Sequence, residues 1–124
     1  MNRQVKFRGK RLADDQWEYG SLYQEGVIAC IVRDRGFARE FRQVKPDTVC
    51  QHTGLKDFKC NDIYEGDLLQ DNEITWIVFW CDDVAAFMVE QYKSESDAPK
   101  MFLLSDVAKD SEVVGNIHDK TNQH

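Results

Sequence analysis

No stretch of this chain is apolar for long enough to cross a membrane as a helix. The longest apolar runs, GVIACIV at 26–32 and WIVFWC at 76–81, fall far short of the ~20 residues such a span needs. The N-terminal MNRQVKFRGKR is basic and has no apolar block of the kind that opens a signal peptide, so a cytoplasmic protein is expected. Glycine is sparse, and its seven residues never form G-x-G-x-x-G or G-x-x-x-x-G-K, which leaves no phosphate cradle. The four cysteines, at 30, 50, 60 and 81, include no C-x-x-C pair, so zinc ribbons and dithiol redox sites find no support. Cys30 and Cys81 lie inside apolar runs and read as small buried hydrophobes. Histidine is rarer still, at positions 52, 118 and 124 only, the last two in or near the tail.

What is present describes one soluble domain of 124 residues with ordinary apolar and charged shares, 42% and 31%. The net charge of −6 is unevenly spread. Residues 1–50 hold ten Lys/Arg against seven Asp/Glu, whereas residues 51–124 hold six against fifteen, a balance of +3 facing −9. An acidic chain repels phosphate backbones overall, so nucleic acid is the alternative partner and not the first choice. Its candidate contacts lie in the basic half: Arg3, Lys6, Arg8, Trp17, Arg33, Arg35, Arg39 and Arg42, with Phe7, Trp17 and Tyr19 as the nearest aromatic platform.

Alternation with period two dominates the chain. QVKFRGK and WEYGSLY read as the strands of a hairpin, with Gly20 marking a bulge or a close backbone approach. GVIACIVRD is apolar enough to suggest a strand covered on both faces. In FAREFRQV the spacing of Phe37 and Phe41 lets a short helical turn compete with a strand, and PDTV at 46–49 predicts extended backbone. EITWIVFWC is the strongest strand and the candidate centre of the core, with AAFMVEQY as its hairpin partner. KSESDAP at 93–99 reads as a mobile polar loop. KMFLLSDVA and EVVGNI close the chain as short strands, with a short helix at 104–109 as a competing reading. The fold class is therefore all-β, a small partly open barrel or two packed β subregions with at most a short helical turn. One domain covers 1–124, with subregions 1–45 and 46–118 and a fraying tail at 119–124.

Reactive constellations are thin. Cys50 and His52 alternate onto one strand face, and Asp57 and Asp62 follow, yet no nucleophile motif frames them. Asp57, Asp62, Glu65, Asp67 and Asp71 lie close in sequence, but Phe58 and Cys60 fall where a cation-binding loop would place ligands. The expectation is no catalytic residue, no metal, no cofactor and no enzyme.

The densest stretch, QHTGLKDFKCNDIYEGDLL at 51–69, carries a resemblance. Thr53-Gly54-Leu55-Lys56-Asp57 followed by Ile63-Tyr64-Glu65-Gly66-Asp67 is similar to the signature of the YopX family, T-G-L-K-D-x-N-G-x-x-I-Y-E-G-D. Lys6-Phe7-Arg8, Trp17-Glu18-Tyr19-Gly20, Pro46-Asp47-Thr48-Val49, Gln51 and Val113–Ile117 resemble the family's flanking segments. The resemblance implies a mainly-β accessory protein of phages or prophages, with no catalytic residue to carry over. Its expected mode of action is protein contact, as a homo-oligomer or with a phage or host protein. The residues themselves read as architecture: Gly54 and Gly66 for tight turns, Asp57 to accept from turn amides, Tyr64 and Ile63 to pack, and Gly66-Asp67 to kink the chain before a new strand. Two departures stand out. The family's Asn-Gly is here Lys59-Cys60, and its Gly after Thr-Val is Cys50.

Overall fold

The computed structural model describes residues 6–93, 98 and 100–119. The chain divides into two compact units, Met1–His52 and Thr53–His124. Both are built on open sheets, and among the described residues neither sheet closes into a barrel.

The first unit holds β1 (Phe7–Lys10), β2 (Trp17–Glu25), β3 (Ile28–Arg35), β4 (Ala38–Val44) and the opening residues of β5 (Cys50–Lys56). Its strands lie in the order β4-β3-β2-β1-β5. The two-residue turns of the β2–β3 and β3–β4 hairpins use Gly26 and Gly36, whose φ of 61° and 71° suits such connections between twisted strands. Alternation sorts the side chains cleanly. Ala29, Ile31 and Val44 are buried on one face with Phe7, Leu22 and Val49 packed around them.

Two expectations change here, and one open alternative is decided. β3 is buried on one face only: Ile28 is exposed, and Cys30 and Val32 are half-buried. The 37–41 segment is a strand, because Gly36 turns the chain directly into the β3–β4 ladder and Phe37 sits fully exposed at the tip. Pro46–Thr48 forms a single 3-10 turn, since proline's fixed φ suits the first helical position. Thr48 Oγ1 then accepts from the Lys10 amide at 2.8 Å, which ties that turn to β1.

The second unit pairs the end of β5 with β6 (Asp62–Tyr64) and contains a five-stranded sheet. That sheet comprises β7 (Asp67–Asp71), β8 (Ile74–Cys81), β9 (Ala86–Gln91), β10 (Met101–Leu103) and β11 (Glu112–Asn116), ordered β10-β9-β8-β7-β11. β8 is its central strand, as the apolar run predicts. Trp76 and Val78 join Ile63, Leu69, Val89, Leu104 and Ala108 in the core. The helical reading of 104–109 also holds: α1 (Leu104–Val107) runs into a 3-10 turn at Ala108–Asp110. Of the 93–99 loop only Lys93 and Ala98 belong to the described residues, and of the 119–124 tail only Asp119.

All four cysteines are free thiols. Their burial is redistributed, however: Cys50 is the buried one, Cys30 and Cys81 are half-buried, and Cys60 is exposed. An apolar run seen in sequence does not say which face a given position takes.

Candidate functional site

The signature segment folds as two carboxylate-centred knots within the second unit. Gly54 takes φ 85° within β5. Thr53 is buried, and its hydroxyl donates to the Ile63 carbonyl at 2.8 Å while accepting from the Leu55 amide. Leu55 packs against the core cluster that contains Ile63.

Asp57 is the first knot. Its Oδ1 accepts from the Lys59 and Asn61 amides at 2.9 and 2.8 Å. Its Oδ2 accepts from Asn61 Nδ2 at 3.1 Å and from the Val113 amide at 2.8 Å. The Phe58 amide donates to the Ser111 carbonyl, and Lys59 pairs with Glu112 at 2.8 Å, so the 57–61 turn is fastened to β11. Burial pushes the Asp57 carboxyl up, but the donors from Val113, Asn61 and Lys59 together outweigh it and hold the pKa below its ordinary value.

Asp67 is the second knot. It is almost wholly buried, accepting from the Tyr64 amide at 2.7 Å and from Asn116 Nδ2 at 2.9 Å. Between them, Glu65 and Gly66 make the turn from β6 to β7, with Gly66 at φ 85°. The Gly66 amide donates to the Val78 carbonyl, and the Gly66 carbonyl accepts from Ile117.

The carboxylates of the acidic stretch are engaged by donors of the chain itself. Asp57 spends both oxygens on N–H donors, Asp62 pairs with Lys56 at 2.7 Å, and Asp71 accepts from Asn72. Among the described residues no three His, Cys, Asp or Glu side chains are grouped to hold a metal. The Cys50 thiol donates to the Thr48 carbonyl at 3.2 Å, and His52 is held in β5 by its amide's bond to the Lys6 carbonyl.

Cys60 occupies the turn at φ 66°, the left-handed region that favours glycine. Replacing it with glycine should be neutral or stabilising by up to about 1 kcal/mol, because a β-carbon is penalised there. Thermal unfolding checks this: a clear fall in melting temperature for Cys60→Gly would mean the cysteine side chain contributes more than its backbone costs.

The candidate nucleic-acid contacts do not form one surface. Arg3 lies outside the described residues. Arg33, Arg35 and Arg42 alternate onto the face of β3 and β4 that also carries Ile31, where they meet carboxylates. Arg33 reaches Glu18 at 3.2 Å, while Arg35 and Arg42 reach Glu40 at 3.5 and 3.3 Å. Lys6, Arg8, Trp17 and Arg39 share the opposite face, with the Arg8 guanidinium 4.2 Å above the Trp17 ring. Phe7 lies across from Gly20 and so turns away from Trp17 and Tyr19. The aromatic set on the outer face is instead Trp17, Tyr19, Tyr23 and Phe41.

A second surface escaped the sequence reading. In the five-stranded sheet Phe79, Met88 and Leu103 stand directly opposite one another across β8, β9 and β10, on the face away from Trp76 and Val78. Met101 lies beside Leu103 on the same face, and all three residues of the edge strand β10 are exposed. Only the strand register reveals this row, because its members are up to 24 residues apart in the chain.

The chain matches the family model described as YopX protein over residues 5–123 and belongs to that family. No curated protein sequence matches it.

Proposed function

We propose, from its place in the YopX family, that this chain is a phage or prophage accessory protein that works by protein contact and not by catalysis. The observation that carries the reading is the apolar row Phe79–Met88–Leu103, which runs out to an exposed edge strand. Soluble proteins usually blunt sheet edges with short strands, charge, proline or a bulge; β10 is only three residues long, yet all three, Met-Phe-Leu, are apolar and exposed. Aliphatic and thioether side chains adapt to a protein partner, and an additional strand would satisfy the open edge.

The first partner to test is a second copy. Sedimentation velocity over a concentration series should show self-association of the wild-type chain. Met101→Lys/Leu103→Lys should abolish it while leaving the melting temperature within a few degrees, since both side chains are already exposed. A photo-crosslinker at position 103 extends the test to other polypeptides. A monomer at every concentration, together with no polypeptide crosslinked from 103 in cells, would rule the reading out.

A further inference from the structure

We propose that the outer face of the first unit's sheet binds single-stranded nucleic acid, stacking bases on Tyr19, Tyr23 and Phe41. This goes beyond the protein-contact reading, concerns the other unit, and stands or fails independently of it.

The three rings are 46%, 43% and 53% exposed, far more than aromatic residues that serve a core. They share one face by register: Tyr19 and Tyr23 alternate along β2, and Tyr23 lies across Cys30 from Gln43, one pleat from Phe41 on β4. Tyr23 and Phe41 meet edge to face with centroids 5.8 Å apart, and Tyr23 is steadied by a hydrogen bond from its hydroxyl to Glu25. The rings line a shallow depression of about 740 Å³ together with Lys6, Val32, Asp34 and Arg39.

The charge around these rings suits a phosphate chain. Lys6 and Arg8 lie on the β1 side and Arg39 on the β4 side, so cations flank the platform along the path a strand would take. Among the described residues Arg39 is matched only by Asp34, at 3.5 Å, and both side chains are more than 70% exposed. Such a pair is worth little in water and yields readily to a phosphate. The unit as a whole, residues 1–52, carries +3 within a chain of −6. Stacking tolerates any base, and few cations are needed when rings share the binding, whereas a duplex hides its base faces and demands dense phosphate contact. The row on the second unit joins a single ring to methionine and leucine side chains and carries no cation in its row, which is why a protein partner is assigned there and not here.

Fluorescence polarisation of labelled oligo-dT and oligo-U, with a duplex of equal length as control, tests the assignment. At about 20 mM salt the wild-type chain should bind both single strands and discriminate against the duplex. Affinity should fall as salt rises, with a log–log slope of roughly −1.4 to −2.1 for two or three neutralised phosphates. Tyr23→Ala and Phe41→Ala should each weaken binding by about tenfold or more, and Tyr23→Trp should retain it. Lys6→Ala/Arg39→Ala should flatten the salt slope by about 1.4. Circular dichroism and melting curves establish that each variant is folded, and the Trp variant guards against a ring loss that merely disturbs the sheet. Absence of binding at low salt, equal binding to duplex, or binding indifferent to the rings would each overturn the assignment.

Discussion

Asp57→Ala should lower the unfolding free energy by about 3 kcal/mol or more and the melting temperature by roughly 10 °C or more. Four donors depend on that carboxylate: the amides of Lys59, Asn61 and Val113, and the Asn61 side chain. Each of these bonds is partly withdrawn from water, so truncation weakens the satisfaction of several N–H groups at once. The isosteric change is the sharper experiment. Asp57→Asn keeps the volume, but an amide has only one acceptor oxygen, and its NH₂ must face donors that expect a lone pair. Whichever way it turns, either the Lys59/Asn61 amides or the Val113/Asn61 pair is opposed. We expect Asp57→Asn to recover less than half of the loss. A variant within 1 kcal/mol of wild type would show that the turn is held by its other links, Phe58 to Ser111 and Lys59 to Glu112.

The same carboxylate sets a sign for acid sensitivity. Its folded pKa is lowered from 3.8, so the ionised form binds the fold more tightly than it binds the unfolded chain. That contribution is fully present above the unfolded value and is lost as pH falls through the folded one. The Asp57 contribution to stability, measured by denaturant, should therefore be complete and independent of pH near neutrality and decline below about pH 4. Asp57→Ala should flatten part of that decline. If wild type and variant lose stability in parallel on acidification, Asp57 is not the group responsible.

How much of this was legible in the chain depended on whether the partner was near in sequence. Gly54, Gly66 and the turn-closing role of Asp57 could be read directly, because a left-handed φ or an amide two or four residues away is a local demand. Even the departure at Cys60 was readable: the position keeps φ 66° although the residue is not glycine. The bonds that lock the knots were not. Val113 is 56 residues from Asp57, and Asn116 is 49 from Asp67, and nothing in local spacing announces either. The 37–41 segment was ambiguous for a related reason. Phenylalanines four apart fit one face of a helix turn and, being an even number apart, one face of a strand. The β3 ladder decided the matter, with seven cross-strand pairs from Ala29–Val44 to Arg35–Ala38. The functional surfaces were legible only in part. The basic half pointed to the first unit, but assigning each arginine to a face required the register that pairs Arg33 with Glu40 and Asp34 with Arg39.

Gly20→Ala should be the most damaging small substitution in the first unit. On an exposed strand a glycine-to-alanine change usually stabilises by about 0.4–1 kcal/mol, because it restricts the unfolded chain. Here a β-carbon would stand 2.4 Å from the Val32 carbonyl oxygen, 3.1 Å from Ile31 Cγ2 and 3.2 Å from Arg33 Cγ. The first of these is backbone in the neighbouring strand and cannot swing aside. Relief requires β2 and β3 to separate, which strains the ladder from Ser21–Val32 to Glu25–Ile28 and disturbs the packing of Ile31. A loss of about 2–3 kcal/mol is expected, with faster amide exchange across β2 and β3. Gly26 supplies the control, since its φ of 61° is left-handed but no atom lies within 4 Å of an added β-carbon. Gly26→Ala should cost only the backbone term of about 1 kcal/mol. The order of the two variants separates crowding from conformation: if Gly26→Ala proves the more costly, contact with the Val32 carbonyl is not what requires a glycine at position 20.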